Sequence, residues 1–170
     1  GMFAVGVGVF GSISWDEEKF IGDTVTTTDI LGPFYRPNAP IRTSINPAGY
    51  AGKLFHLSGT VFKEDGKTPF PNAMVEIWQA DDEKGYDNTT DDFRYRGAQR
   101  VGQNGKYHFI TTNPVPYPLR AGSDIYRPAH IHMRISGEGQ QDLITQIYFK
   151  DDPHLDKDPS AKSSEAINRI

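Results

Sequence analysis

The sequence contains no cysteine among its 170 residues. Disulfide bonds, thiolate nucleophiles and cysteine-based zinc sites are therefore excluded. It also has no apolar run long enough to cross a bilayer, and its formal charge of -4, with scattered lysines and arginines, offers no basic surface for nucleic acid. We expect one soluble domain, large enough to bury a core without disulfides, that acts on a small molecule.

The two ends of the sequence are interpreted as extensions of one central domain. Gly1 before Met2 indicates a remnant of tag removal. The apolar stretch from Phe3 to Phe10 is either an arm that packs against a neighbouring subunit or a frayed terminus, and Ser163 to Ile170 has helical periodicity. The absence of a recognisable signal sequence favours the cytoplasm, although a removed signal would leave the same pattern. The boundaries are residues 1–23 for the arm, 24–160 for the central domain and 161–170 for the tail.

Alternation of apolar and polar residues predicts short strands. In the run AMVEIWQA, Glu76 and Trp78 share one face of a strand, and Val75 and Ile77 share the other. Short strands, many turn-forming residues and no long helical periodicity before the tail predict an all-β sandwich. The predicted strands are Leu54–Phe62, Ala73–Ala80, Gly105–Thr111, Ala129–Ser136 and Leu143–Phe149.

Three segments outside these strands are too long for simple turns and are typical of functional loops. Thr24–Pro40 is rich in proline and aromatic residues, so it forms either a wall of a site or a plug at the end of the sandwich. Asp81–Gln103 is polar and includes a pair of tyrosines. Thr112–Tyr126 holds Tyr117 between prolines, which argues against disorder at that position.

The stretch YRPAHIHMRIS gives the strongest functional signal. On a strand, His130 and His132 point to one face, so their imidazoles can converge on one metal ion from a rigid platform. Arg127 lies just before them, and Pro128 holds the chain extended. An isolated His-x-His is equally compatible with two polar side chains on a solvated strand face. Further ligands are needed to decide between the two.

Tyrosine is the remaining candidate for such a ligand. Cysteine is absent, and the nearby carboxylates Asp124 and Glu138 lie at spacings that match no metal motif. A phenolate is a hard oxygen donor that suits a hard ion such as Fe(III), and a bound cation can deprotonate a phenol with an ordinary pKa near 10. A single tyrosine is nevertheless far more often a half-buried aromatic side chain, so residue type alone does not identify the ligand.

Five runs over most of Thr28 to Pro153 give the chain a family resemblance. In order, they are TDILGPFYRPNAP, AMVEIWQADDEKGY, GKYHFITTNPVPYP, YRPAHIH and TQIYF. Together they resemble the intradiol ring-cleaving dioxygenases of the catechol and protocatechuate group. The resemblance implies a β-sandwich enzyme with a mononuclear non-haem Fe(III). It also implies cleavage of a catechol by O2 to a cis,cis-muconate, and thus a role in aromatic compound catabolism.

The same resemblance implies roles for individual residues. Arg127 matches an arginine that stabilises negative charge on the substrate, and Gln146 a glutamine that accompanies it. Tyr117 matches the tyrosine that leaves the iron and takes a substrate proton. Tyr95 is the alternative if Tyr86 is wrongly placed as the first tyrosine ligand. The implied iron ligands are Tyr86, Tyr117, His130 and His132.

The resemblance also bears on substrate and assembly. The implied pocket wall is apolar, which favours catechol or a substituted catechol, although Tyr35 or Arg36 could reverse that preference. The segment before the GPFY run is short, so the chain is more similar to a minimal catalytic domain of the protocatechuate type than to enzymes with a helical dimerisation segment. A homo-oligomer is expected, with an aromatic diol and O2 as partners and no membrane or nucleic acid. The implied wall residues are Ile30, Pro33, Phe34 and Leu119.

Two other readings remain open at this point. The run from Gly59 to Val75 also resembles prealbumin-like and carboxypeptidase-regulatory-like modules, which serve as carriers or spacers and need no set of four ligands. A cupin-like Fe(II) oxygenase needs a carboxylate shortly after His-x-His, where Arg134 and Ser136 occupy the same face. The remaining histidines are isolated in the sequence and are expected to be structural or surface residues. They are His56, His108 and His154.

Overall fold

The regular elements in the part of the chain that the structure describes are nine short strands and one helical turn. This computed structural model describes residues 29, 31–158, 160 and 161, and the backbone of residues 4–9. Each of the five predicted strands is present, shifted by at most two residues at either end. The elements are β1 (Ala4–Val9), β2 (Phe55–Phe62), β3 (Met74–Trp78), β4 (Arg96–Arg100), β5 (Lys106–Thr111), β6 (Tyr117–Pro118), β7 (Tyr126–Arg127), β8 (His130–Ser136), β9 (Leu143–Tyr148) and a 3₁₀ turn (Leu155–Lys157).

Two antiparallel sheets pack face to face, which confirms the predicted all-β sandwich. The first sheet has the strand order β1-β2-β5 and the second the order β4-β3-β8-β9, while β6 and β7 form a separate ribbon. Alternate residues of a strand point to the same side of its sheet, and the alternate residues that face the other sheet are apolar. The core includes Leu57, Val61 and Phe109 from the first sheet, and Val75, Ile77, Ile131, Met133 and Ile135 from the second.

Strand β4 lies within Asp81–Gln103, which the sequence predicts to be a loop. Its residues, RGAQR, are polar and include a glycine, so they give no strand signal of their own. β4 pairs with β3 over its whole length, and on its other side Arg42 N donates to Ala98 O at 3.1 Å. Pairing with neighbours therefore makes this segment a strand despite a weak local preference.

The N-terminal arm contributes backbone to the sandwich. β1 pairs antiparallel with β2, so the structure places residues 4–9 at an edge of their own chain's sheet rather than as a frayed end.

The helical stretch predicted from Ser163 to Ile170 lies outside the described residues. The homo-oligomer and the cytoplasmic location stay predictions. No helix in the described part of the chain is long and apolar enough to cross a membrane.

Two histidines that are isolated in the sequence meet on the outer face of the first sheet. β2 pairs with β5, and His56 Nδ1 lies 3.0 Å from His108 Nε2. Strand pairing thus brings together two histidines that are 52 positions apart in the sequence. His154 lies elsewhere, with its ring centroid 5.3 Å from that of Tyr126.

The outer face of the second sheet holds the His-x-His stretch. The register places Trp78 opposite His132, and Glu76 opposite Arg134, across β3 and β8. Glu76 Oε2 and Arg134 Nη1 form an ion pair at 3.4 Å. Arg134 is therefore engaged in holding the two strands together, and the histidines occupy the other end of the same face.

Candidate metal centre

The two imidazoles of β8 converge. His130 Nε2 and His132 Nε2 lie 3.2 Å apart, and their ring planes meet at 78°. Both side chains are almost fully buried, with 2% and 1% exposed. Residues two apart on a strand share a face, so the alternation read from the sequence accounts for this convergence. The buried setting makes a solvated strand face an inadequate description.

Two phenols complete a cluster of four donor atoms. Tyr117 Oη lies 3.3 Å from His130 Nε2, and Tyr86 Oη lies 3.4 Å from Tyr117 Oη. Tyr117 is placed by the β6–β7 ribbon, where it pairs with Arg127. The structure thus brings together all four side chains that the sequence analysis singled out as ligands.

Tyr95, the alternative to Tyr86, lies away from this cluster. Its ring is buried at 5% exposure, and its backbone has a φ of 56°, in the left-handed region. Burial, with the negative charge of Asp82, raises its pKa to about 12. Its hydroxyl therefore faces acidic surroundings, and Tyr86 is the tyrosine of this loop that meets the histidines.

Packing fixes the orientation of each donor. His130 Nδ1 lies 2.7 Å from Pro128 O, which turns Nε2 towards the cluster. The His132 ring stacks on Trp78 with parallel planes and centroids 4.9 Å apart. Gly32 has a φ of +74°, and a Cβ there would lie 3.4 Å from His132 Cε1. A residue with a side chain would be strained at this backbone conformation and would crowd the imidazole.

Electrostatics keeps the imidazoles in the form that binds metals. Burial, with the positive charge of Arg127, lowers the pKa of His130 to about 4. Burial and the neighbouring His130 lower the pKa of His132 well below its ordinary value. Burial and Tyr117 raise the pKa of Tyr86 well above its ordinary value, so this phenol stays protonated unless a cation is bound beside it.

The donor spacing fits a single metal ion. Ligand atoms about 2.1 Å from a first-row metal, at angles of about 90–110°, lie roughly 3.0–3.4 Å from one another. The three distances between successive donors, from Tyr86 to Tyr117, His130 and His132, are 3.2–3.4 Å. Residues 29, 31–158, 160 and 161 include no cluster of three histidines or carboxylates able to hold a metal. The two phenols of the cluster favour a hard ion such as Fe(III).

Arg127 lies beside the cluster within a buried polar network. Its Nη1 is 3.4 Å from His130 Nε2, and its Nη2 donates to Gln146 Oε1 at 2.9 Å. Its Nε donates to Asp158 Oδ2 at 2.7 Å. Burial alone would lower the arginine pKa, but the hydrogen bond and charge of Asp158 outweigh burial and raise it. Arg127 is thus a fixed cation next to the four donors.

Sequence reasoning did not identify three residues that support the site. Asp158 and Trp78 are described above, and Arg96 is the third. Arg96 is 2% exposed, with its guanidinium 5.8 Å from the Tyr86 ring centroid. Its Nη1 donates to Phe34 O at 2.5 Å, which ties the early loop to the Tyr86 loop. The Trp78 contact could have been found from strand register, whereas Asp158 and Arg96 leave no local signal.

The implied pocket wall is only partly assembled around the donors. Phe34 stacks on Tyr86 with centroids 4.4 Å apart. Pro33 is exposed, and Leu119 is 48% exposed. Ile30 lies outside the described residues. Among these four residues, the structure places an apolar ring against the cluster at Phe34.

The two residues that could have reversed the substrate preference point elsewhere. Tyr35 Oη donates to Glu76 Oε1 at 3.1 Å, and its ring packs edge-on against Trp78. Arg36 Nη1 donates to Asp87 O at 3.2 Å. Each side chain is therefore occupied in a contact that does not involve the four donors.

We expect the free energy of unfolding to fall when the pH is lowered from 6.5 to about 4.5. His130 has an ordinary pKa of 6.5 that is lowered to about 4 in the fold. Between these pH values the unfolded chain binds more protons than the folded chain does. The free energy of unfolding therefore rises with pH and falls on acidification. A shift of this size corresponds to about 2 kcal/mol over the interval. A bound metal would also make the protein less stable at lower pH, because it too requires neutral imidazole.

Urea titrations at several pH values measure this dependence. In a His130→Asn variant the slope between pH 4.5 and 6.5 should decrease, whereas His108→Gln, on the exposed face of the first sheet, serves as the control. An unchanged slope in His130→Asn would assign the acid sensitivity to other groups.

Comparison with known proteins identifies a family and several relatives that the chain resembles. The family described as Dioxygenase matches residues 30–169. A chlorocatechol 1,2-dioxygenase from Rhodococcus opacus is 32% identical over 165 residues, which cover 84% of this chain and 63% of that protein. A hydroxyquinol 1,2-dioxygenase from Rhizobium sp. (strain MTP-10005) is 35% identical over 147 residues, which cover 76% of this chain and 49% of that protein. The chain thus spans about half to two thirds of the length of these curated relatives.

A solved structure is similar over most of its length as well. It is the dioxygenase domain of a dioxygenase carbohydrate-binding protein fusion from Streptomyces sp. SirexAA-E. The TM-score is 0.67 at 32% sequence identity, and the match covers 79% of this chain and 81% of that chain. The likeness therefore extends across the sandwich rather than being confined to a short motif.

Proposed function

Because the chain belongs to the intradiol ring-cleavage dioxygenase family, we propose that it is an iron-dependent enzyme that cleaves a catechol with O2. The bond that breaks would join the two hydroxyl-bearing ring carbons. The product would be a cis,cis-muconate-type dicarboxylic acid that contains both atoms of O2. The protein would thus be an oxidoreductase of aromatic compound catabolism.

The convergence of two imidazoles and two phenols supports this proposal best. Three of the donors are buried and Tyr86 is half-buried. Successive donors, in the order Tyr86, Tyr117, His130 and His132, lie 3.2–3.4 Å apart, and they are contributed by β6, β8 and the Tyr86 loop. When bound, Fe(III) would chelate both catechol oxygens and make the ring reactive towards O2. A carrier or spacer module needs no such cluster. A cupin-like site would need a carboxylate where Arg134 pairs with Glu76.

The protein's own residues would orient the substrate and handle its protons. Tyr117 Oη lies between His130 Nε2 and Tyr86 Oη. A catechol hydroxyl that enters the cluster could therefore transfer its proton to Tyr117. Arg127 presents Nη1 to the same cluster and would stabilise negative charge that develops on the substrate. Gln146 accepts a hydrogen bond from Arg127 and helps to hold it in place.

We propose a catechol without a ring carboxylate as the substrate class. Arg127 is paired with Asp158, and Arg96 is directed to the backbone oxygens of Phe34 and Asp87. Apart from Arg127 Nη1, which is directed at the donors, the guanidinium nitrogens of these two arginines are engaged within the protein. Phe34 offers an apolar ring surface instead. The names chlorocatechol and hydroxyquinol of the two relatives fit this class. We expect a higher kcat/KM for catechol or hydroxyquinol than for protocatechuate, measured by product absorbance.

Replacing Tyr86 with phenylalanine should weaken the colour and the iron binding of the protein. Tyrosinate bound to Fe(III) absorbs visible light by charge transfer, so we expect the purified protein to be burgundy. Tyr86→Phe removes one of two phenolate donors and should reduce both the visible band and the iron content, as measured by absorbance and metal analysis. Tyr95→Phe removes the other tyrosine of the same loop and should retain both.

Anaerobic addition of catechol should move the visible band of the wild-type protein to longer wavelength. A protein that stays colourless after reconstitution with ferric iron would remove the tyrosinate site and leave the spacer module as the better account. Equal loss of colour in Tyr95→Phe would contradict the placement of Tyr86 in the cluster.

A further inference from the structure

Asp158 is a buried carboxylate that contacts the cation of the site and is separate from the four donors. It is 1% exposed. Its Oδ2 accepts a hydrogen bond from Arg127 Nε at 2.7 Å, and its Oδ1 lies 3.4 Å from Arg127 Nη2. The two residues are 31 positions apart in the sequence. A carboxylate that contacts two nitrogens of one guanidinium fixes the orientation of that guanidinium as well as balancing its charge.

The chain around Asp158 makes its carboxylate rigid. It follows directly on the 3₁₀ turn Leu155–Lys157. Its Oδ1 also accepts hydrogen bonds from the backbone nitrogens of Ser160, at 2.8 Å, and Ala161, at 2.9 Å. The carboxylate is therefore held by its own local backbone and does not depend on Arg127 for its orientation.

The contacts of Arg127 divide its guanidinium into an edge held by Asp158 and Gln146 and a nitrogen, Nη1, that faces the four donors. Asp158 takes Nε and approaches Nη2, and Gln146 Oε1 accepts from Nη2 at 2.9 Å. Nη1 is the nitrogen directed at His130 Nε2, 3.4 Å away. Because the guanidinium is planar, fixing Nε and Nη2 also fixes where Nη1 points.

We propose that Asp158 is a positioning residue that aims Arg127 Nη1 at the reacting substrate. This inference rests on the proposed function, since it concerns the charge that develops on a catechol during cleavage. Arg127 touches that charge, and Asp158 acts through Arg127. A displacement of the donor by about 1 Å is enough to cost up to 100-fold in rate.

The test compares Asp158→Asn with Asp156→Asn, in iron-loaded protein. Asp158→Asn keeps the side-chain volume but replaces one acceptor oxygen with an NH2 group that cannot accept from Arg127. Asp156 lies in the adjacent turn and is exposed, so its substitution should leave activity unchanged. We expect Asp158→Asn to lower kcat by about 10- to 100-fold, with little change in KM, iron content or visible spectrum.

A double variant separates positioning from a purely structural role. If Asp158 acts through Arg127, Asp158→Asn should add little to the loss already caused by Arg127→Lys. Full additivity of the two losses would overturn the proposal, and so would a kcat within twofold of wild type. An iron content that falls in proportion to kcat would instead assign Asp158 to support of the metal site.

A measurement that needs no turnover distinguishes failure of this inference from failure of the proposed function. In protein loaded with diamagnetic Ga(III), the Arg127 Nε–H proton should exchange slowly with solvent in wild type and Asp156→Asn, and rapidly in Asp158→Asn. Slow exchange in Asp158→Asn would overturn the positioning role. If wild type cleaves no catechol but the exchange rates differ as expected, the proposed function fails while the role of Asp158 in holding Arg127 stands.

Discussion

Replacing His132 with alanine should abolish iron binding and lower catechol cleavage by about 1,000-fold or more. His132 Nε2 is one of four convergent donors and lies 3.2 Å from His130 Nε2. A bound metal supplies several kcal/mol of charge stabilisation, and each 1.4 kcal/mol is a tenfold change in rate. Alanine removes the donor and leaves a cavity beside Trp78, whose ring stacks on the imidazole. The protein should therefore lose its colour together with its activity.

Metal analysis, visible absorbance and initial rates of product formation measure this loss. His132→Gln retains more of the side-chain volume and should lose iron as well, which separates loss of the ligand from loss of packing. His108→Ala removes a histidine from the exposed outer face of the first sheet and is the matched control. Full iron occupancy in both His132 variants would exclude this residue as a ligand.

Replacing Arg127 with methionine should lower kcat/KM by about 100- to 1,000-fold and also destabilise the fold. The variant loses a cation that lies 3.4 Å from His130 Nε2. It also leaves Asp158 buried at 1% exposure without its ion-pair partner. Breaking a buried ion pair from one side costs about 3–5 kcal/mol, because the remaining charge stays desolvated.

The pH dependence of this destabilisation is a second readout. In wild type, burial opposes ionisation of Asp158, but hydrogen bonds from Arg127 and Ala161 dominate and lower its pKa. Its stabilising contribution is therefore present at neutral pH and is lost only on acidification below the ordinary range of an aspartate. Without Arg127 the burial effect prevails, so the stability deficit of Arg127→Met should shrink as the pH falls towards 5.

Urea unfolding and steady-state kinetics at matched iron content measure these two effects. Arg127→Lys keeps the charge but not the fork of donors, so it should lie between wild type and Arg127→Met in stability. Arg120→Met, at an exposed position of the β6–β7 hairpin, is the control. A stability deficit that grows on acidification would contradict the assignment of Asp158 as the stranded charge.

Some parts of the fold and of the candidate site follow from short-range rules. Residues that are two apart on a strand lie on the same face, so the alternation in AHIHMRIS predicted the shared direction of His130 and His132. The same rule predicted the two faces of β3, with Val75 and Ile77 in the core and Trp78 beside His132. The family resemblance then pointed to Tyr117, which lies 3.3 Å from His130 Nε2.

Other parts were beyond such rules because they depend on chain segments that meet only in three dimensions. Tyr86 and Tyr95 lie in one polar segment with no periodicity, so the resemblance named Tyr86 and left Tyr95 as the alternative. β4 itself lacks alternation, so pairing rather than sequence makes it a strand. His56 and His108, isolated in the sequence, lie 3.0 Å apart across paired strands.

The sequence by itself determined the sandwich, the shared face of the two histidines and the family. Each follows from patterns within a single strand or a contiguous motif, where local geometry is fixed by the backbone. The resemblance named Tyr86 with Tyr95 as the alternative, and the tertiary structure placed Tyr86 in the cluster. The tertiary structure alone decided that Asp158, 31 residues from Arg127, holds its guanidinium. Contacts across such separations depend on how loops pack over the sheet, which no local pattern encodes.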